Sequence, residues 1–371
     1  LNFSGTIPAF IGILRKPNTS DKELKAVIEA LGNNRTGDKA LIYIIKALGS
    51  PAEDIREAAS VALVKLYKIH PQPVVGAISG TLVRSKDKQT LISGTAVLAQ
   101  LGDENSMPML VPLLASQYPE VKKNVTWALY RIHSRANTRA VDELKKLVKS
   151  DTEFLSVRIN AVRALGAIGL DSPRLKVWET LLDVVKLRSD KFLALRTFAV
   201  ESLGELRESK PAIINTLSKI AERETNLELK KEAVLALRKI ASEDTEMEAS
   251  LVRLFRKNKD TELRIRIIEA LGDMYSSKTS ELTSDILKNT LSSSQKKRII
   301  YALYQVGKEK ELSLIIDIAK DKDLFDYIES LLANSNRARL LALVKNRLKS
   351  ESNNTIIDLL DSLESEIEGS Y

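Results

Sequence analysis

A short apolar signature, Ala-Leu-Gly or a near variant, recurs about every 34 residues, and this period constrains the fold more than any other feature of the chain. With the Leu of each copy as position zero, the anchors are Leu31, Leu63, Leu98, Leu129, Leu165, Leu203, Leu237, Leu271 and Leu303. The gaps between them are 32, 35, 31, 36, 38, 34, 34 and 32 residues. A unit of this size holds two helices and cannot bury its own apolar face. Successive units must therefore stack and share one continuous core.

The columns around the anchor define one helix of each unit, called helix B. One residue earlier stand Ala30, Ala62, Val97, Ala128, Ala164, Ser202, Ala236, Ala270 and Ala302. Four earlier are Val27, Ala59, Gly94, Val125, Ala161, Ala199, Ala233, Ile267 and Ile299. At about 100° per residue these columns fall on one stripe, apolar and rich in small side chains that allow helices to approach closely. Thirteen residues before the anchor the chain reads Asn18, Ser50, Ser85, Ser116, Thr152, Asp190, Glu224, Asn258 and Thr290. Eight of these nine are N-cap types, and the column either opens helix B or closes the helix in front. Amphipathic A helices are expected between the B helices, for example at 39–48, 107–115, 141–148, 174–187, 212–221 and 248–255. No stretch sustains the period-two alternation of a strand, so the chain reads as roughly twenty helices joined by short turns.

These columns resemble the HEAT repeat, most closely the short variety found in many bacterial proteins. The copies that carry the resemblance best are SVRINAVRALG at Ser156–Gly166 and ALRTFAVESLG at Ala194–Gly204. A basic residue seven before the anchor (Arg56, Lys122, Arg158, Arg196, Lys230, Arg264, Lys296) is a further mark. The resemblance implies an all-α, right-handed α-α superhelix of the armadillo type, a HEAT-like solenoid of about eleven two-helix repeats. It also implies a single domain over 1–371, with clear repeats at about 20–310 and degenerate capping helices at about 311–371. In that family the matching Arg pairs with an Asp near the inter-helix turn. Here only Asp190 occupies the corresponding place, six before Arg196, and other units offer Ser, Thr, Asn or Glu.

Composition narrows the chemistry. Fifty-seven Lys and Arg against 49 acids give a net charge of +8, compatible with nucleic acid or an anionic membrane but spread over many helix faces. The absence of cysteine excludes disulfides and thiolate metal sites. Together with a first residue, Leu1, that is not Met, it leans toward an exported protein of the periplasm or cell envelope over a cytoplasmic one. No apolar run is long enough to span a membrane. Neither histidine, His70 or His133, has a partner at metal-ligand spacing, and both are expected at helix ends near free carbonyls. Phosphate-loop, nucleophile-elbow and zincin motifs are absent, so no catalytic residue, metal or cofactor is expected.

Function is then sought on the exposed side of helix B, at positions −5, −2 and +2 from the anchor, which in HEAT-like arrays line the concave surface. Its central units bring Trp127, Arg131, Arg163 and Phe198 together with Asn124 and Asn160, followed by the acids Glu201 and Glu205. Trp and Arg are the residue types that dominate binding hot spots. The reading is a non-catalytic scaffold or adaptor that takes a protein or peptide partner in this groove, with those eight residues as contacts. Close packing of Trp127 and Phe198 between neighbouring B helices is the competing account. A second functional reading is nucleic-acid binding through Arg131, Arg163, Arg266 and Arg298, which Glu205, Glu232, Glu269 and Asp273 oppose. A third is an enzyme resembling the HEAT-like DNA glycosylases or bilin lyases, although no motif of either is found.

Overall fold

In the computed structural model residues 6–16, 18–133, 138–240, 244–334 and 337–368 are described. Leu1, on which the expectation of export partly rests, lies outside them. Among the described residues there are 22 α-helices and no strand. In chain order they form eleven A–B pairs. The first six are α1 (Ile7–Arg15) with α2 (Asp21–Gly32), α3 (Leu41–Ala47) with α4 (Glu53–Tyr67), α5 (Pro71–Arg84) with α6 (Lys88–Leu101), α7 (Met107–Leu113) with α8 (Pro119–Arg131), α9 (Thr138–Lys149) with α10 (Leu155–Asp171), and α11 (Val177–Val185) with α12 (Leu193–Glu205). The other five are α13 (Pro211–Arg223) with α14 (Leu227–Ile240), α15 (Thr245–Lys257) with α16 (Thr261–Asp273), α17 (Lys278–Ile286) with α18 (Ser293–Val306), α19 (Glu309–Ile318) with α20 (Phe325–Ala333), and α21 (Arg337–Leu348) with α22 (Asn354–Glu368).

The helices group into two compact units, Leu1–Ser202 and Leu203–Tyr371. In the first, B helices α2, α4, α6, α8 and α10 pack in succession, and A helices α3, α5, α7, α9 and α11 form a parallel layer behind them. In the second, α14, α16, α18, α20 and α22 form the B layer and α13, α15, α17, α19 and α21 the A layer. The repeat thus continues through the degenerate segment after residue 310, where capping helices were expected. No described helix is long and apolar enough to cross a membrane.

All nine anchor leucines have zero solvent exposure, each contributing about 1.5–3 kcal/mol through burial. The residue after the anchor explains the glycine of the signature. A methyl built on Gly32 would lie 2.7 Å from Ala62, and one on Gly204 would lie 2.7 Å from Ala236. Gly166 meets Ser202 at 2.7 Å in the same way. Each glycine therefore receives the small residue at −1 of the next B helix, and the two columns are halves of one contact.

The polar column at −13 closes the A helix. The N-caps of helix B lie two residues later: Ser20 and Ser292 form capping boxes with Glu23 and Gln295, while Asp87 and Asp260 accept single backbone N–H bonds. The −13 oxygens turn the chain toward that cap. Ser50, Ser85 and Ser116 each accept the backbone N–H two residues on, all at 3.2 Å. This is the local turn chemistry that short polar side chains favour.

The basic column leans largely on backbone carbonyls, with Arg158 also 3.9 Å from Asp151, seven residues before it. Arg56 donates to the carbonyls of Ser50 and Pro51, both at 2.8 Å, Arg158 to that of Val148 at 3.0 Å and Arg196 to that of Val185 at 3.2 Å. In the last two the guanidinium caps the end of the preceding A helix, while Arg56 holds the turn that follows it. Elsewhere an acid further along the chain serves, as Lys122 pairs with Glu153, Arg264 with Asp285, and Lys296 with Asp321 at 2.6 Å. Arg158 is only 4% exposed and also lies over the Phe192 ring, 5.0 Å from its centroid.

Candidate partner-binding face

The three outward positions of helix B behave differently. In the first unit, residues at −5 and +2 reach back to the preceding B helix. Asn124 donates to the carbonyl of Ile92 at 3.0 Å and to Oγ1 of Thr95 at 3.2 Å, and Asn160 points its amide at the Lys123 carbonyl at 3.5 Å. Arg131 donates from one nitrogen to the carbonyls of Ala99 and Gln100, at 2.8 and 2.5 Å, closing the end of α6. Lys65 bonds Asn33 at 2.9 Å in the same sense. Position −2 is mixed: Val61, Trp127 and Tyr301 are 46%, 38% and 43% exposed, while Arg163, Glu201, Leu235 and Glu269 are half-buried.

Of the eight residues chosen from sequence, three meet in one cluster. The Arg163 guanidinium carbon lies 5.5 Å from the Trp127 ring, 5.0 Å from Tyr130 and 5.4 Å from Phe198. Trp127 and Tyr130 stack at 5.3 Å with 28° between their planes. Three successive repeats thus hold one cation among three rings, with Arg163 and Phe198 half-buried and Trp127 open to solvent. The two accounts of Trp127 are both partly realised, since the rings pack across repeats and still leave a surface. A cation this near an aromatic ring stabilises by about 0.5–2 kcal/mol per contact. Tyr130 was not foreseen, because it stands at +1, where four other repeats have Gly.

Glu201 stands at −2 of the following repeat, half-buried and beyond ion-pair distance of Arg163. Glu205 accepts from Lys239 at 2.6 Å within the second unit. His70 and His133 lie at helix ends as expected. His70 contacts the Arg35 carbonyl at 2.5 Å, but His133 meets the Asp171 carboxylate at 2.5 Å rather than a carbonyl.

The acidic run of the second unit is internally neutralised. Arg298 grips Glu269 with two bonds of 2.9 and 2.6 Å and reaches both oxygens of Glu262 at 2.9 Å. Its hydrogen bonds, first to Glu269 and then to Glu262, outweigh burial and hold its pKa above the ordinary arginine range. Arg238 bonds Asp273 at 2.6 Å and approaches Glu269 at 3.3 Å, while Arg266 bonds Glu262 at 3.2 Å. Beside this network a hollow of about 540 Å³ is lined by Glu269, Ser294, Lys297, Arg298, Tyr301 and Tyr327. Among the described residues no cluster of His, Asp and Glu could hold a metal ion.

Comparison with known proteins agrees with the helix arrangement. Residues 98–132, which include the end of α6 and all of α7 and α8, match the armadillo/beta-catenin-like repeat. The structure of yeast importin-beta is similar with a TM-score of 0.56 and 11% identity, over 97% of this chain and 56% of that one. The chain therefore spans little more than half the length of that protein. An engineered protein is similar with a TM-score of 0.50 and 19% identity, covering 98% of both chains. No curated protein matches by sequence. Identities this low bear on fold alone. The chain is an all-helical solenoid of armadillo/HEAT-like repeats.

Proposed function

We propose that the protein is a non-catalytic interaction scaffold that binds a protein or peptide partner on the outward face of its B helices, centred on Trp127, Tyr130, Arg163 and Phe198. The observation that carries this reading is the partly exposed ring cluster on a face whose other polar side chains are tied to neighbouring repeats. An indole with an exposed surface, held rigid by stacking, offers apolar contact at little entropic cost. Asn124, Asn160 and Arg131 act in this reading as supports that fix the helices beneath the cluster. Glu201 borders it, and Glu205 is a structural partner of Lys239.

Nucleic acid is the weaker reading. Arg131, Arg266 and Arg298 already bond carbonyls or carboxylates, whereas a phosphate backbone needs a row of free cations. The test begins with affinity capture from the native source, followed by calorimetry of the purified partner against the full chain and a Trp127→Ala, Arg163→Glu variant. Loss of binding by a variant with unchanged circular dichroism supports the site. Equal affinity for both proteins removes it and directs attention to the A-helix face.

A further inference from the structure

We infer that the ligand of this face presents a carboxylate to Arg163, as an Asp or Glu side chain beside an apolar residue in an extended peptide segment of a partner protein. This rests on the proposed binding role of the Trp127 cluster and adds its chemical specificity. Other arginines of the B helices are already paired. Arg131 donates to two carbonyls, Arg266 to Glu262, Arg238 to Asp273, and Arg298 to two carboxylates. Arg163 is half-buried, and its recorded contacts are with three rings. It has neither an acidic partner within ion-pair distance nor a hydrogen-bond acceptor among the described residues.

Ring contacts at 5.0–5.5 Å hold the guanidinium among aromatic groups and give its N–H donors no acceptor. None of its side-chain nitrogens is sealed from solvent, so an arriving acceptor can reach the donors that the rings leave free. The complement of a planar edge is a carboxylate, which can accept two parallel N–H bonds. The rings that orient Arg163 also offer the exposed side of Trp127, so an apolar side chain next to the acid has a surface to cover. One cation among three rings matches one carboxylate with an apolar neighbour. A phosphate chain would instead require several free cations, and Arg131 is already held by α6.

The probe is a random-peptide phage library selected on the immobilised full chain. Enriched peptides are then synthesised and measured by fluorescence polarisation. Enrichment of Asp or Glu beside an aromatic or aliphatic residue is expected. Changing that acid to its amide should weaken binding about tenfold or more, a result that requires no protein variant. Arg163→Lys should lose several-fold of affinity through loss of the planar edge, and selection on Arg163→Glu should enrich Lys or Arg instead. Peptides that depend on Trp127 but show no acidic preference and ignore Arg163→Lys would overturn the carboxylate inference while leaving the binding face intact. Failure to enrich any peptide, or binding indifferent to Trp127→Ala, would overturn the binding face itself. Preferential, steeply salt-dependent binding of a single-stranded oligonucleotide at Arg163 would also count against both.

Discussion

Gly272 and Ala302 are in such close contact that a methyl on the glycine would sit 2.7 Å from the Ala302 carbonyl oxygen and 2.8 Å from its Cα. In a free helix, exchanging Gly for Ala stabilises by about 1 kcal/mol. Here the added carbon meets backbone on the next B helix, which has little room to move. Gly272→Ala should therefore destabilise the protein, by about 1–3 kcal/mol from overpacking. Urea denaturation of the two proteins measures it, and a gain in stability would refute the contact as the reason for the glycine.

Arg298 provides a second test, in the polar part of the same layer. Its partner Glu269 has a side chain only 12% exposed. Removing the guanidinium leaves that carboxylate and Glu262 without their bidentate donor. Arg298→Gln should cost about 1.5–3 kcal/mol, the range for hydrogen bonds to charged groups. The paired change Arg298→Gln with Glu269→Gln should cost less than the two singles summed, because the partners form one network.

Arg131 was chosen from sequence as a contact residue, but its bonds to Ala99 and Gln100 give it a different expected phenotype. Arg131→Ala should lower stability by about 1 kcal/mol through the uncapped end of α6. It should leave peptide affinity nearly unchanged, in contrast to Trp127→Ala. Parallel melting curves and polarisation titrations separate the two roles.

Acid should unfold the protein through a few defined carboxylates. The Asp321 carboxyl is held below its ordinary pKa mainly by its hydrogen bond to Lys296, that of Asp87 by the backbone N–H of Thr90, and that of Glu351 by the backbone N–H groups of Asn353 and Ser352. With folded values below the unfolded ones near 4, the unfolded state binds more protons as pH falls. Their contribution is complete above about pH 5 and is lost as pH falls through the folded values. Denaturant midpoints measured down this range should drop, and less steeply in Asp321→Asn than in the wild type.

Much of the stack was legible because its rule is local and repeated. The anchor leucines, the small residues at −1 and the basic residues at −7 recur at a fixed phase, so a single chain samples each environment seven to nine times. Leu165 and Arg158 show this well, since both lie where their columns place them and both are buried. The −13 column remained ambiguous because Ser and Asn cap helices and terminate them with the same oxygen. Only the chain direction at Ser85, whose oxygen receives the N–H of Asp87, decides between these roles. Helix phase places Trp127, Arg163 and Phe198 on the outward side, where they meet. Arg131 and Asn124 share that phase, yet a long or amide side chain at an outward position can fold back onto the neighbouring helix, as both do. Phase alone does not encode that choice.

The +1 position joins two properties that usually vary separately. In Gly32, Gly166, Gly204 and Gly272 it sets how near the next helix can come. In Tyr130 and Tyr304 the same position contributes a ring that pairs with the aromatic residue three before it, Trp127 at 5.3 Å and Tyr301 at 6.4 Å. Spacing and surface chemistry are therefore set by one residue. Exchanging tyrosine for glycine there would remove an aromatic pair together with the bulk of its ring.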